Sequence, residues 1–170
     1  MKFNPKNTYN KEELIACSNG DLFTKEGDGR LPSDLMLMFD EIINIDDFSG
    51  NYKKGSIEAV LNINPDLWFF KYHFKEDPVM PGCLGLDAMW QLVGFFLGWK
   101  GNPGKGRALG VGTVKFTGEV LKNVKNVRYE IDMKKIMSPG GTTVGLANGI
   151  LLADEKKIYS ADNLKVGLFK

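Results

Sequence analysis

The first periodic signal along the chain follows a polar start. Asn10 followed by Glu13 is the pattern of a helix N-cap with an acidic third helical residue. A short helix is therefore predicted over residues 11–18, with Gly20 as its stop. Residues 35–45 are strongly apolar and predict a first strand, although periodicity alone leaves a helix open. Residues 46–51 read as a turn. Beyond it Ile57, Ala59, Leu61 and Ile63 alternate with polar neighbours, as in a half-buried strand over 56–63. Further strands are predicted over 107–116, 126–136, 142–152 and 157–168. Their connections are short and rich in Gly, Pro and charge, Ser138-Pro139-Gly140-Gly141 being the clearest turn. Strands so close together favour antiparallel pairing, since parallel neighbours need long crossovers.

Residues 83–98 behave differently. At about 100° per residue, Leu84, Leu86, Met89, Trp90, Leu92, Val93 and the residues after them cover the whole circumference, which predicts a helix buried on every side. Gly85, Ala88 and Gly94 would let other backbone come close. A lone buried helix amid antiparallel strands implies a sheet wrapped around it. The fold class is therefore α+β, in one domain over residues 1–170 that no repeat or linker divides.

The 170 residues are enough to enclose one core, and 43% of them are hydrophobic. A net charge of +1 lacks the basic excess of a nucleic-acid binder. The longest apolar stretch is interrupted by Asp87 and Gln91 and falls short of the roughly 20 residues that span a bilayer. The N-terminus has no apolar run of signal-peptide length, and Cys17 and Cys83 form neither a disulfide framework nor a metal-site spacing. A cytoplasmic protein with no nucleic-acid or membrane partner is expected.

Candidate chemistry gathers around the predicted helix. His73 is the one histidine, and its side chain has an ordinary pKa, roughly 6.5, suited to proton transfer. A structural histidine is the plain alternative. Asp87 is the one ionisable group between Cys83 and Trp99, with Gln91 four residues on and on the same face. A buried carboxyl is either paired or holds its proton, and a held proton serves a general acid. Its plain alternative is an acid stabilised near a helix start. Gly82 and Cys83 stand where backbone N–H groups lack internal partners and can receive an oxygen gaining negative charge, unless Gly82 only shapes the turn after Pro81. Cys83 reads as inert core more readily than as a nucleophile. Gly104-Lys105-Gly106-Arg107 fits neither the dinucleotide fingerprint nor the P-loop.

Taken together these residues resemble a known family. His73-Phe74, the run Asp77-Pro78-Val79-Met80-Pro81-Gly82-Cys83-Leu84-Gly85-Leu86-Asp87-Ala88-Met89-Trp90-Gln91 and the stretch from Gly104 to Gly112 are similar to the bacterial 3-hydroxydecanoyl-acyl-carrier-protein dehydratase/isomerases of type II fatty-acid synthesis. Val114-Lys115-Phe116-Thr117-Gly118 and Leu164-Lys165-Val166-Gly167-Leu168-Phe169 extend the likeness over nearly the whole chain.

The resemblance implies a hot-dog fold, an antiparallel sheet around a long central helix, in a homodimer whose active sites are shared across the interface. It implies His73 as base, Asp87 as acid, Gly82 N–H on the thioester carbonyl, and Cys83 and Gln91 among the substrate-binding residues. It also implies an acyl carrier protein as partner, with proton-transfer chemistry that calls for no metal or other cofactor. The related dehydratases without isomerase activity usually carry Glu where this chain has Asp87, so Asp87 points to the bifunctional branch. Tyr72 before the histidine departs from the pattern. The Ser138–Gly141 turn lacks the basic residues expected to dock an acidic carrier, leaving Lys134, Lys135 and Lys165. A hot-dog thioesterase, with Asp87 activating water, and a non-catalytic acyl-binding module are the rival readings.

Overall fold

The computed structural model describes residues 3–23 and 27–170. The first helix, α1 (Lys11–Asn19), starts on the expected capping box. The Asn10 side chain accepts from Glu13 N at 3.0 Å, and the Glu13 carboxylate accepts from Asn10 N at 3.1 Å. It stops at Gly20, whose φ of +92° suits a residue without Cβ. Leu14 and Cys17 turn inward, and burial pushes the Cys17 thiol up to about 12, with the Leu31 N–H and the Arg30 charge opposing it in part.

The remaining elements are β1 (Glu41–Asp46), β2 (Ser56–Asn62), α2 (Trp68–Tyr72), α3 (Gly82–Trp99), β3 (Lys105–Gly110), β4 (Thr113–Phe116), β5 (Asn126–Met137), β6 (Thr143–Ala153) and β7 (Lys156–Phe169). They build a seven-stranded sheet in the order β1-β2-β5-β6-β7-β3, with β4 also on β7 and every pair antiparallel. The register aligns Ala59, Tyr129, Leu151 and Tyr159 across four strands, all buried. The sheet curls around α3, as the α+β reading expects. Small residues on β6 make room for it. A Cβ on Gly145 would stand 3.1 Å from Leu97 Cδ2, and one on Gly149 would stand 2.8 Å from Met89 Sδ.

Three expectations need correction. Residues 35–45 are not one strand: Asp34–Met36 is a 3-10 turn, and pairing with β2 begins only near Glu41. The reason lies in distant side chains that take the backbone groups a ladder would use. Trp68 Nε1 donates to Leu35 O at 3.1 Å, Gln91 Nε2 donates to Met36 O at 2.8 Å, and Gln91 Oε1 accepts from Met38 N at 3.4 Å. Residues 107–116 divide into β3 and β4, because the register slips between Ala108 and Gly110 and Gly110 turns at φ +148°. Finally, α3 is not covered all round. Cys83 is exposed, contrary to its reading as core, and Leu86, Asp87, Trp90 and Gly94 are half-buried. These positions recur every three or four residues, so they form one stripe along the helix.

The two sheet edges differ. Residues 7–9 close β1: Tyr9 and Ile42 exchange N–H···O bonds of 3.0 and 2.9 Å, and Asn7 O accepts from Ile45 N at 2.9 Å. At the other end of the strand order, β3 has β7 as its one neighbour. Among the described residues, no helix is long and apolar enough to cross a membrane.

Two outcomes follow from this packing. Replacing Gln91 with Leu keeps the bulk but leaves Met36 O and Met38 N without their partner. Urea unfolding should show a loss of ~1–3 kcal/mol for such orphaned groups, whereas an unchanged midpoint would mean the clamp contributes nothing. With its thiol pushed up to about 12, Cys17 should resist alkylation by iodoacetamide at pH 8 in the native protein and react only after denaturation. Mass spectrometry of the labelled peptides reads both states.

Candidate active site

Helix α2 is one and a half turns long and is held by its buried Phe69 and Phe70. His73 follows directly as its C-cap, its N–H bonded to Phe69 O at 2.9 Å. The chain then doubles back so that Val79 meets His73 twice. Val79 N donates to His73 O at 2.8 Å, and His73 Nδ1 lies 3.0 Å from Val79 O. A carbonyl oxygen only accepts, so Nδ1 donates in this contact, and Nε2 is the ring nitrogen left to exchange a proton. The imidazole is half-buried and lies against the Phe74 ring, centroids 4.1 Å apart.

Three residues after Val79 the chain enters α3. Pro81 is its N-cap and gives no side-chain cap, and the first turn holds no acidic residue. Gly82 has a packing requirement of its own: a Cβ there would stand 2.8 Å from Cε1 of Phe116, whose ring meets Tyr159 edge-on. Cys83 beside it is exposed.

One turn further along, Asp87 Oδ2 accepts from Gln91 Nε2 at 2.6 Å, the pairing that their spacing predicts. Gln91 is buried and spends both amide ends within the chain, on Asp87 and on the 36–38 segment. It holds the carboxylate in place. Asp87 is half-buried, not fully enclosed, and faces a cavity of about 150 Å³ that runs beside α3 past Trp90 and Gly94. Trp90 is tethered by its Nε1–H to Gly110 O at 3.1 Å.

The structure thus brings Asp87 and Gln91 together, with Gly82 and Cys83 just above them on the same helix. His73 stands apart on its own loop and is not among the described residues that line the cavity. The role of Gly94 was not legible from the sequence. It was expected to admit backbone, but among the described residues outside its own helix Val166 Cγ1, at 3.7 Å, is the one atom within 4 Å of its Cβ position, and Gly94 lines the cavity instead. Among the described residues, no three His, Cys, Asp or Glu side chains are grouped to hold a metal.

Comparison with known proteins accords with this geometry. The family model of the FabA-like domain matches residues 31–162. The dehydratase heterocomplex ApeI:P from Xenorhabdus doucetiae superposes with a TM-score of 0.62 at 15% identity, covering 82% of this chain and 88% of that one. Cj0977, a sigma28-regulated virulence protein from Campylobacter jejuni, gives 0.59 at 11% identity over 95% and 94% of the two chains. The E. coli PaaI protein from the phenylacetic acid degradation operon gives 0.52 at 9% identity over 75% and 81%. At such identities the likeness is one of fold. The family match, by contrast, takes in the His73 loop, all of α3 and most of the sheet, and on that extent this chain belongs to the FabA-like domain family and has its hot-dog fold.

Proposed function

We propose that the protein dehydrates 3-hydroxyacyl thioesters of about ten carbons carried on acyl carrier protein, and isomerises the trans-2-enoyl product to cis-3. The observation that carries this reading is the carboxyl group of Asp87, clamped by Gln91 at the wall of a largely apolar cavity. A proton donor placed beside room for an alkyl chain suits removal of a hydroxyl from a fatty chain.

In the proposed reaction the thioester carbonyl lies against Gly82 N–H at the uncapped start of α3. His73 Nε2 takes a proton from C2 as negative charge moves onto that oxygen. The C3–O bond breaks, Asp87 gives its proton to the departing hydroxyl, and water and the trans-2-enoyl thioester are the products. Isomerisation removes a proton from C4 and returns one to C2, using the same base. The presence of Asp at position 87, where the related dehydratases usually carry Glu, favours the bifunctional branch.

The protein works in this reading as a homodimer, with His73 of one chain facing Asp87 of its partner. Support comes from what a single chain leaves uncovered. Strand β3 has one neighbour, the Cys83–Gly94 stripe of α3 is incompletely buried, and Tyr72 and Phe74, flanking His73, are 70% and 57% exposed. For carrier docking, Lys135 and Lys165 are exposed and share a register row through Leu146, whereas Lys134 is occupied with Asn163 Oδ1 at 2.7 Å.

Incubation with 3-hydroxydecanoyl-carrier protein, followed by chromatography, should yield both trans-2- and cis-3-decenoyl thioesters. Release of free 3-hydroxydecanoic acid would mark a thioesterase, and unchanged substrate a binding module. His73→Ala should lose both activities by ~10²–10⁴-fold, as expected for a lost general base. Asp87→Asn should lose dehydration comparably while keeping its circular-dichroism spectrum. Wild-type turnover in either variant would make that residue structural only.

A further inference from the structure

Of the α3 residues that line the cavity, Asp87 comes first and Phe95 last, with Gly94 seven residues beyond Asp87. Phe95, next to Gly94 on the helix, and Phe23 also line it, their ring centroids 5.3 Å apart. Phe23 sits so close over the helix that a Cβ on Gly98 would stand 2.9 Å from its Cε2. The cavity walls carry little bulk at Gly94 on α3 and at Gly106 and Ala108 on β3, and Val166 and Leu168 add to the apolar lining. Arg30 and Arg107, both exposed residues, also line the cavity.

We propose that Gly94 sets the length of acyl chain this protein accepts. The inference rests on the reading of Asp87 as the group that acts at C3. At a rise of about 1.5 Å per residue, Gly94 lies about 10 Å along the helix from Asp87. An extended alkyl chain, with bonds of about 1.5 Å at tetrahedral angles, advances about 1.3 Å per carbon. The cavity therefore takes about seven or eight carbons beyond C3, a chain of about ten or eleven in all, before the tail meets Phe23 and Phe95. A side chain at position 94 would project into this space and shorten it. Glycine is otherwise poorly suited to a helix interior, and no close contact at Gly94 requires it: the nearest atom to its Cβ position is Val166 Cγ1 at 3.7 Å.

The test is calorimetric binding of saturated, unreactive acyl-pantetheine thioesters of even chain length from four to twelve carbons. Wild-type protein, Gly94→Ala and Gly94→Leu are compared. In the wild type, affinity should rise roughly fourfold for each methylene buried and level off near ten carbons. In Gly94→Leu the plateau should come two to four carbons earlier, and the ratio of ten-carbon to four-carbon affinity should fall at least tenfold. Gly94→Ala has room for its methyl group and guards against a misfolded Leu variant; its ratio should fall roughly fourfold, the effect of one methylene. An unchanged ratio in both folded variants, or a wild type that binds four and ten carbons alike, overturns the proposal. The shifted plateau without any dehydration would leave the length gauge standing and remove the enzymatic reading. Dehydration with an unshifted plateau would do the reverse.

Discussion

An 18-residue helix whose one acidic or basic residue is Asp87 has to be taken out of water, and the rest of the molecule is organised around that requirement. The sheet provides a groove by placing Gly145 and Gly149 under Val93, Leu97 and Met89 of α3, where any side chain would hold the helix away. Gly85 returns the favour from the helix side, since a Cβ there would stand 2.9 Å from both Leu151 Cδ1 and Tyr159 Cε2. Burial makes polar groups on such a helix costly unless they are bonded. Gln91 meets that condition by bonding to the backbone of Met36 and Met38 as well as to Asp87. One amide thus fixes the 36–38 segment over α3 and orients the carboxylate that faces the cavity.

The same constraint explains what the sequence did and did not reveal. Features decided within a few residues were legible: the Asn10–Glu13 capping box, the stop at Gly20, the Asp87–Gln91 pair and the strands from β5 onward, each of which pairs with the next in the chain. Residues 35–45 misled because their hydrophobicity says nothing of Gln91, 55 residues from Met36, or Trp68, 33 residues from Leu35, which claim the backbone there. The open stripe of α3 was invisible for a related reason. When every face of a helix is apolar, periodicity cannot single out the face that the fold leaves bare. Cys83 was placed in the core by this uniformity and is exposed. The hydrogen on His73 Nδ1 depends on a loop that folds back to bring Val79 O within 3.0 Å, and no spacing rule encodes it.

The chemistry divides along the same lines. Asp87 is held from within the chain and faces the cavity; His73 is anchored to Val79 and lies outside that lining. Among the described residues, His73 is not part of the lining of the cavity that Asp87 faces. Cys83 at the head of the α3 stripe is exposed and the rest of the stripe is half-buried, β3 pairs among the described residues with β7 alone, and the exposed Tyr72 and Phe74 flank the histidine. In the proposed dimer a second copy related by a two-fold axis would cover these surfaces and set His73 of one chain facing Asp87 of the other.

That claim is open to a direct count of intact sites. Chains carrying His73→Ala and chains carrying Asp87→Asn, each with a different tag, are co-expressed, and the mixed dimer is isolated by sequential affinity steps. If each site takes His73 from one chain and Asp87 from the other, the mixed dimer holds one doubly defective site and one intact site. It should then recover about half of the wild-type dehydration rate, although both parent dimers are inactive. A mixed dimer that is folded, correctly assembled and as inactive as its parents would contradict the shared site and place both residues in the service of one chain.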